Sequence, residues 1–177
     1  MTGTTEIDPR GRLAAPNTLV FQRLLPGPVG RIWRFLTEED LRRKWLAGGR
    51  MEPEVGAAFE LVWRNDELTM PPGVRPDGFA PEARLACRIT EWNPPRRLAF
   101  AWGDTAHVAI DLAPAGERVL LTLTHSRIAE RGMRVMLGSG WHTHLDILAD
   151  RLQGSEPAPF WDTWSALRDA YDRRLPA

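Results

Sequence analysis

In the C-terminal half of this chain the hydrophobic period changes from two residues to about 3.6, and that change constrains the fold more than any other feature. Ahead of it four runs alternate. Leu85, Cys87 and Ile89 share a face in RLACRITEW, which loses step at Trp92 as a bulge would make it do. Leu98, Phe100 and Trp102 share a face in RLAFAW, Val108, Ile110 and Leu112 in AHVAIDLAP, and Val119, Leu121, Leu123 and His125 in RVLLTLTH. The connections are Asn93-Pro94-Pro95, Gly103-Asp104 and Pro114-Ala115-Gly116-Glu117, short enough to make the run an antiparallel meander. From Met133 to Gln153 the apolar residues Met133, Met136, Leu137, Trp141, Leu145, Leu148 and Leu152 then recur at helical spacing, and Gly154 ends the helix. Gly138 and Gly140 inside it mark close packing or a bend, since glycine costs about 1 kcal/mol against alanine there.

The remaining segments fit around that frame. Residues 1–16 read as a loose N-terminal arm, and NTLVFQRLL from Asn17 as a strand ended by Pro26-Gly27-Pro28. VGRIWRFLT and EEDLRRKWL read as two short helices after it, the second capped by Thr37, with acids early and bases late as the helix dipole favours. AAFELVWR alternates through Phe59, Leu61 and Trp63. Asn65 to Glu82, with Pro71, Pro72, Pro76 and Pro81, reads as a long irregular loop, and FWDTWSALRDAY as an additional helix within 155–177. A long helix on one face of an antiparallel sheet is an α+β arrangement.

Composition narrows the function. The 177 residues hold 23 Lys plus Arg against 23 Asp plus Glu, a net charge of zero that removes the usual attraction to nucleic acid and to anionic membranes. No apolar run is long enough for a membrane span, Met1 to Arg10 lacks a secretory signal, and the lone Cys87 forms no internal disulfide; a cytoplasmic protein is expected. Lys44 is the lone lysine, an arginine bias typical of GC-rich bacterial genomes. Eight tryptophans stand against one tyrosine, Tyr171, which points to a packed aromatic core or a wide aromatic pocket.

Four stretches in order resemble a known family. VGRIWRFLTEEDLRRKWL, EWNPPRRLAFAW, VAIDLAPAGERVLLTLTHSRI and GSGWHTHLDILADRLQG are similar to the START-like (Bet v 1-like, SRPBCC) superfamily, and within it to the branch named for the activator of the 90-kDa heat-shock protein ATPase. The resemblance covers Asn17 to Gly154 and implies a helix-grip fold, a curved antiparallel sheet wrapped around a long C-terminal helix with a cavity between them. The chain departs from the pattern in its longer, proline-rich 65–82 loop, in Val119 where threonine is frequent, and in the tail after Gly154. Partner stimulation by the eukaryotic activator also needs an N-terminal domain, for which this chain has no room.

The residues offer little catalytic chemistry. His142 and His144 lie two apart, about 200° around a helix, so they do not share a metal easily. His142 falls with Asp146 on the polar side, His144 points inward among Trp141, Leu145 and Leu148, and His107 faces outward. Ser139 lacks a nucleophile elbow, Cys87 lacks an activating base, and no phosphate loop follows a strand. No catalytic residue, metal or cofactor is therefore assigned. The expected cavity lining is Trp45, Phe59, Leu61, Trp63, Phe100, Trp102, Leu121, Leu123, His125, Met136, Trp141, His144 and Leu145, with Trp102 and Trp141 in the core and Trp45 and Trp63 at the mouth. The leading reading is a binding protein for a small hydrophobic molecule such as a lipid, sterol-like or polyketide-like compound. The alternatives are an aromatase/cyclase-type enzyme using His125 and His144, and a chaperone-regulating or stress-response protein contact. The helix bearing Trp161 and Trp164 either covers the core or makes a homodimer contact, and the cost of an exposed tryptophan pair favours the first.

Overall fold

The computed structural model describes residues 6–177. A short strand β1 (Arg12–Ala15) and β2 (Thr18–Pro26) lead to helices α1 (Val29–Thr37) and α2 (Glu39–Arg42). Strands β3 (Ala58–Trp63), β4 (Ala83–Asn93), β5 (Arg97–Trp102), β6 (Ala106–Ala115) and β7 (Arg118–Ser126) follow, and the chain ends in α3 (Arg131–Gln153) and α4 (Phe160–Arg174). The strands form one antiparallel sheet in the order β1-β2-β7-β6-β5-β4-β3. The connection through α1 and α2 therefore carries the chain from β2, near one edge, to β3 at the other. This is the helix-grip α+β fold, the curved sheet holding α3 on its inner face.

Alternation sets that inner face. Leu19 pairs with His125, His125 with Val108, Val108 with Phe100 and Phe100 with Ile89, so one row of inward side chains crosses five strands. A second row runs Phe21, Leu123, Ile110 and Leu98. The loss of step ahead of Trp92 is a register shift between Ile89 and Glu91. Leu145 and Leu148 of α3 are fully buried against these rows.

Three expectations need correction. The segment before Asn17 is not all loose: Arg12–Ala15 pairs with β2, and the Gly11 amide donates to the Tyr171 hydroxyl at 2.7 Å. Residues 1–5 lie outside the described residues. Thr37 does not cap α2, because its hydroxyl is spent on the Trp33 carbonyl inside α1, and α2 is a single turn. His142 is buried, not surface-exposed, because α4 lies over the face it shares with Asp146.

α4 closes the molecule. Trp161 and Trp164 are buried, both packed on Phe79 of the 65–82 loop. Gly138 sits where an added Cβ would meet the Tyr171 ring at 3.2 Å, so close packing is the reason for that glycine. The loop satisfies the first amides of α4, which have no partners within the helix. Phe160 N–H donates to the Thr69 hydroxyl and Trp161 N–H to the Pro72 carbonyl, both at 2.9 Å. Asp162 in turn accepts from the Val74 amide, and Trp161 Nε1–H donates to Asp66.

Candidate functional site

The space between sheet and helix is small. A cleft of about 90 Å³ lies between the ends of β3 and β5 and the middle of α3, lined by Leu46, Trp63, Trp102, Leu137, Gly140, Trp141 and His144. A ligand-sized cavity was the expectation; aromatic side chains fill it instead. Trp102 stands 5.6 Å from Trp141, 4.8 Å from His125 and 5.4 Å from Trp63, ring centre to ring centre. The edge-on and tilted arrangements are those that aromatic rings prefer.

Of the expected lining, Trp63, Trp102, Trp141 and His144 border the cleft. Phe59, Leu61, Phe100, Leu121, Leu123, His125 and Leu145 are buried in the core around it. Met136 is a correction: it is 41% exposed on the solvent side of α3, and its neighbour Leu137 borders the cleft. Trp45 and Trp102 exchange roles. Trp45 is fully buried, its indole N–H held by the Phe35 carbonyl at 2.8 Å, while Trp102 is half-buried at the cleft. The turn after α2 carries Trp45 into the core, whereas Trp102 is the last residue of β5, beside the Gly103-Asp104 turn.

Two neutral imidazoles stand at this place. His144 Nδ1 lies 2.8 Å from the Trp45 carbonyl, which can only accept, so Nδ1 carries the proton and Nε2 is left as an acceptor. Burial pushes His144 down to about 4. His125 has the opposite tautomer. Trp141 Nε1–H donates to His125 Nδ1 at 2.9 Å, so the proton sits on Nε2, and burial pushes this group down to about 3. Imidazoles this far below neutrality are uncharged at pH 7, so they lack the acidic imidazolium proton and take one up poorly.

Other groups lie apart from the cleft. His142 Nε2 faces the Asp146 carboxylate at 3.5 Å, which only accepts, so Nε2 carries the proton and Nδ1 accepts from the Tyr171 hydroxyl at 2.9 Å; the same hydroxyl accepts from the Gly11 amide. Arg23 of β2 donates to the same Asp146 at 3.0 Å and to the Pro9 carbonyl at 2.6 Å. This network staples β2, α3, α4 and the arm together, and sequence reading missed it. Arg23 alternates in phase with Leu19, Phe21 and Leu25, which was the available sign of an inward arginine. A groove of about 370 Å³ beside Gly48 and Gly49 is lined by charges of both signs, and Arg84 pairs with Glu60 and Glu82 there. The Cys87 thiol is pushed up to about 11 by burial. Among the described residues no group of three or more His, Cys, Asp or Glu side chains could hold a metal ion, and no helix is long and apolar enough to cross a membrane.

Comparison with known proteins agrees with this geometry. Residues 26–153 match the family model described as Activator of Hsp90 ATPase homolog 1-like protein. A protein of Bordetella parapertussis, solved by NMR, is 36% identical over 100% of this chain and 97% of its own, with a TM-score of 0.78. CalU16 from Micromonospora echinospora is 20% identical over 93% of both chains, with a TM-score of 0.66. DynU16, from the dynemicin biosynthetic locus, is 19% identical over 81% of this chain and 49% of its own, with a TM-score of 0.64. Those last two identities carry the fold alone. No curated protein matches the sequence.

Proposed function

The chain belongs to the family of Activator of Hsp90 ATPase homolog 1-like proteins, and from that membership we propose that it is a cytoplasmic binding protein for a small hydrophobic molecule held between the sheet and α3. The observation that supports this most is the cleft bordered by Trp63, Trp102, Leu137, Trp141 and His144, where the half-buried Trp63 and Trp102 meet one buried, neutral histidine, with a second, His125, packed on Trp102. Binding pockets for small molecules have this character, a mostly apolar wall with few polar groups to fix orientation. At about 90 Å³ the cleft is below the size of such ligands, so occupation moves side chains that now fill it. The two other solved proteins named above share the fold, and one comes from the dynemicin biosynthetic locus, which is consistent with a ligand-binding role.

An aromatase/cyclase role fits less well. Acid-base work needs a group that titrates near the working pH, and both imidazoles are held far below it by burial.

The test is native mass spectrometry of freshly purified protein, followed by organic extraction. A stoichiometric small molecule, absent from a Trp63→Arg variant that still folds, supports the reading. A bare mass, with no thermal stabilisation by a panel of lipids and aromatic compounds, overturns it.

A further inference from the structure

Trp102 borders two separate spaces. On one side is the inner cleft; on the other is an open groove of about 430 Å³ between the turn after β5 and the loop before α3. That groove is lined by Gly103, Arg127, Met133 and Leu137 among others, so Trp102 and Leu137 are common to both walls. Trp45, Trp141 and Trp161 each anchor their indole N–H in a hydrogen bond; Trp102, like Trp33, Trp63, Trp92 and Trp164, has no such bond among the described residues. The loop on the far side of the groove holds Arg127 with φ 63, the one non-glycine position in the left-handed region among the described residues. Such backbone strain concentrates where a segment serves a site.

Behind Trp102 lies His125, fully buried, with its ring 4.8 Å away. Its Nδ1 accepts from Trp141, which fixes the hydrogen on Nε2, and Nε2 has no hydrogen-bond partner among the described residues. Native proteins leave few buried donors unpaired, and each one calls for an explanation.

We infer that Trp102 is a movable partition, that displacing it joins the cleft to the groove, and that the joined site takes a neutral, planar, apolar molecule whose carbonyl oxygen accepts from His125 Nε2–H. Planarity follows because the molecule takes the place of the Trp102 indole, itself a flat ring 5.4 Å from Trp63 and 5.6 Å from Trp141. Neutrality follows because the inner end offers an uncharged donor, and an anion there would be buried without a counter-charge. The charged groups of the groove, Asp104, Arg127 and Glu130, stand on the outer side of the partition. This inference rests on the proposed binding function and specifies its ligand.

The experiment compares 9-fluorenone with fluorene, the same fused rings with and without one carbonyl. Calorimetric affinities and the ¹⁵N–¹H signal of the His125 imidazole are measured on the unaltered chain. Expected are a five- to tenfold preference, approximately, for fluorenone and a displaced His125 Nε2–H signal with that probe alone. A Trp102→Ala variant binds both probes faster, and a His125→Leu variant keeps fluorene while losing the preference. Should His125→Leu fail to fold, the imidazole signal of the unaltered chain decides the matter. Equal affinities with an unmoved signal overturn the inference and leave the binding function standing. If neither probe binds, the inference falls, and the native mass and ligand panel described above decide the binding function separately. Unchanged association rates in Trp102→Ala overturn the partition.

Discussion

Arg42 is almost wholly buried with no carboxylate at its guanidinium; its donors are shared among the carbonyls of Leu36, Thr37, Ala47 and Gly49. Burial lowers it to about 10, so it stays charged at neutral pH. The rigid five-donor fork ties the end of α1 to the turn before β3, and an ammonium cannot reach all four acceptors. Arg42→Lys should therefore cost about 2–3 kcal/mol in urea melts, with Arg42→Met costing more. The histidines give a pH signature. Buried His144, at about 4, lies well below its ordinary 6.5, so between those values the unfolded chain binds a proton that the folded chain refuses. Its stabilising contribution is complete above pH 6.5 and is lost as pH falls through that window, at up to about 1.4 kcal/mol per pH unit. His144→Asn, which retains a donor for the Trp45 carbonyl, should flatten the stability profile between pH 6.5 and 4 relative to the parent; an unchanged slope would contradict the assignment. That His144 points inward was legible from the helical period alone. That Trp45 would be buried was not, because its place depends on the Phe35 carbonyl across the turn between two helices.

At the scale of elements, α3 and the meander were readable because most of each keeps one period; the exceptions are the bulge ahead of Trp92 in β4 and the first turns of α3, where Met133 and Met136 are exposed and Val135 is buried. The position of α4 was not, since an amphipathic stripe says that a face is covered and leaves open by what. The consequences ran backward through the sequence: once Tyr171 lies on Gly138, His142 is buried and joins the half-exposed Asp146 in a network that runs to α4. Removing the hydroxyl in Tyr171→Phe leaves the Gly11 amide and His142 Nδ1 without a partner, a loss of about 1–3 kcal/mol. Hydrogen exchange should locate that loss at Gly11 and the start of β1. Gly138→Leu should be worse, because the added side chain enters the space of the Tyr171 ring and lifts α4 from α3.

For the molecule as a whole, a ligand that widens the cleft must still stabilise the fold by mass action, about 2.7 kcal/mol at a hundred times its dissociation constant. A rise in melting temperature with fluorenone concentration, absent in Trp63→Arg, is the expected outcome in a thermal scan. Overall shape followed from the sequence because hydrophobic rows on six of the seven strands and one helix leave few ways to close; the volume left inside did not, because it depends on which way each tryptophan turns. The pairing of the 65–82 loop with α4 has a consequence for inheritance. Thr69 and Pro72 complete the helix, and the helix supplies Asp162 and Trp161 to the loop. Neither segment can be exchanged between relatives alone: a shorter loop grafted here would strand two amides of α4, and a chain without α4 would strand Phe79. Chimeras that swap both should be produced as folded protein, and those that swap one should be recovered mainly from the insoluble fraction.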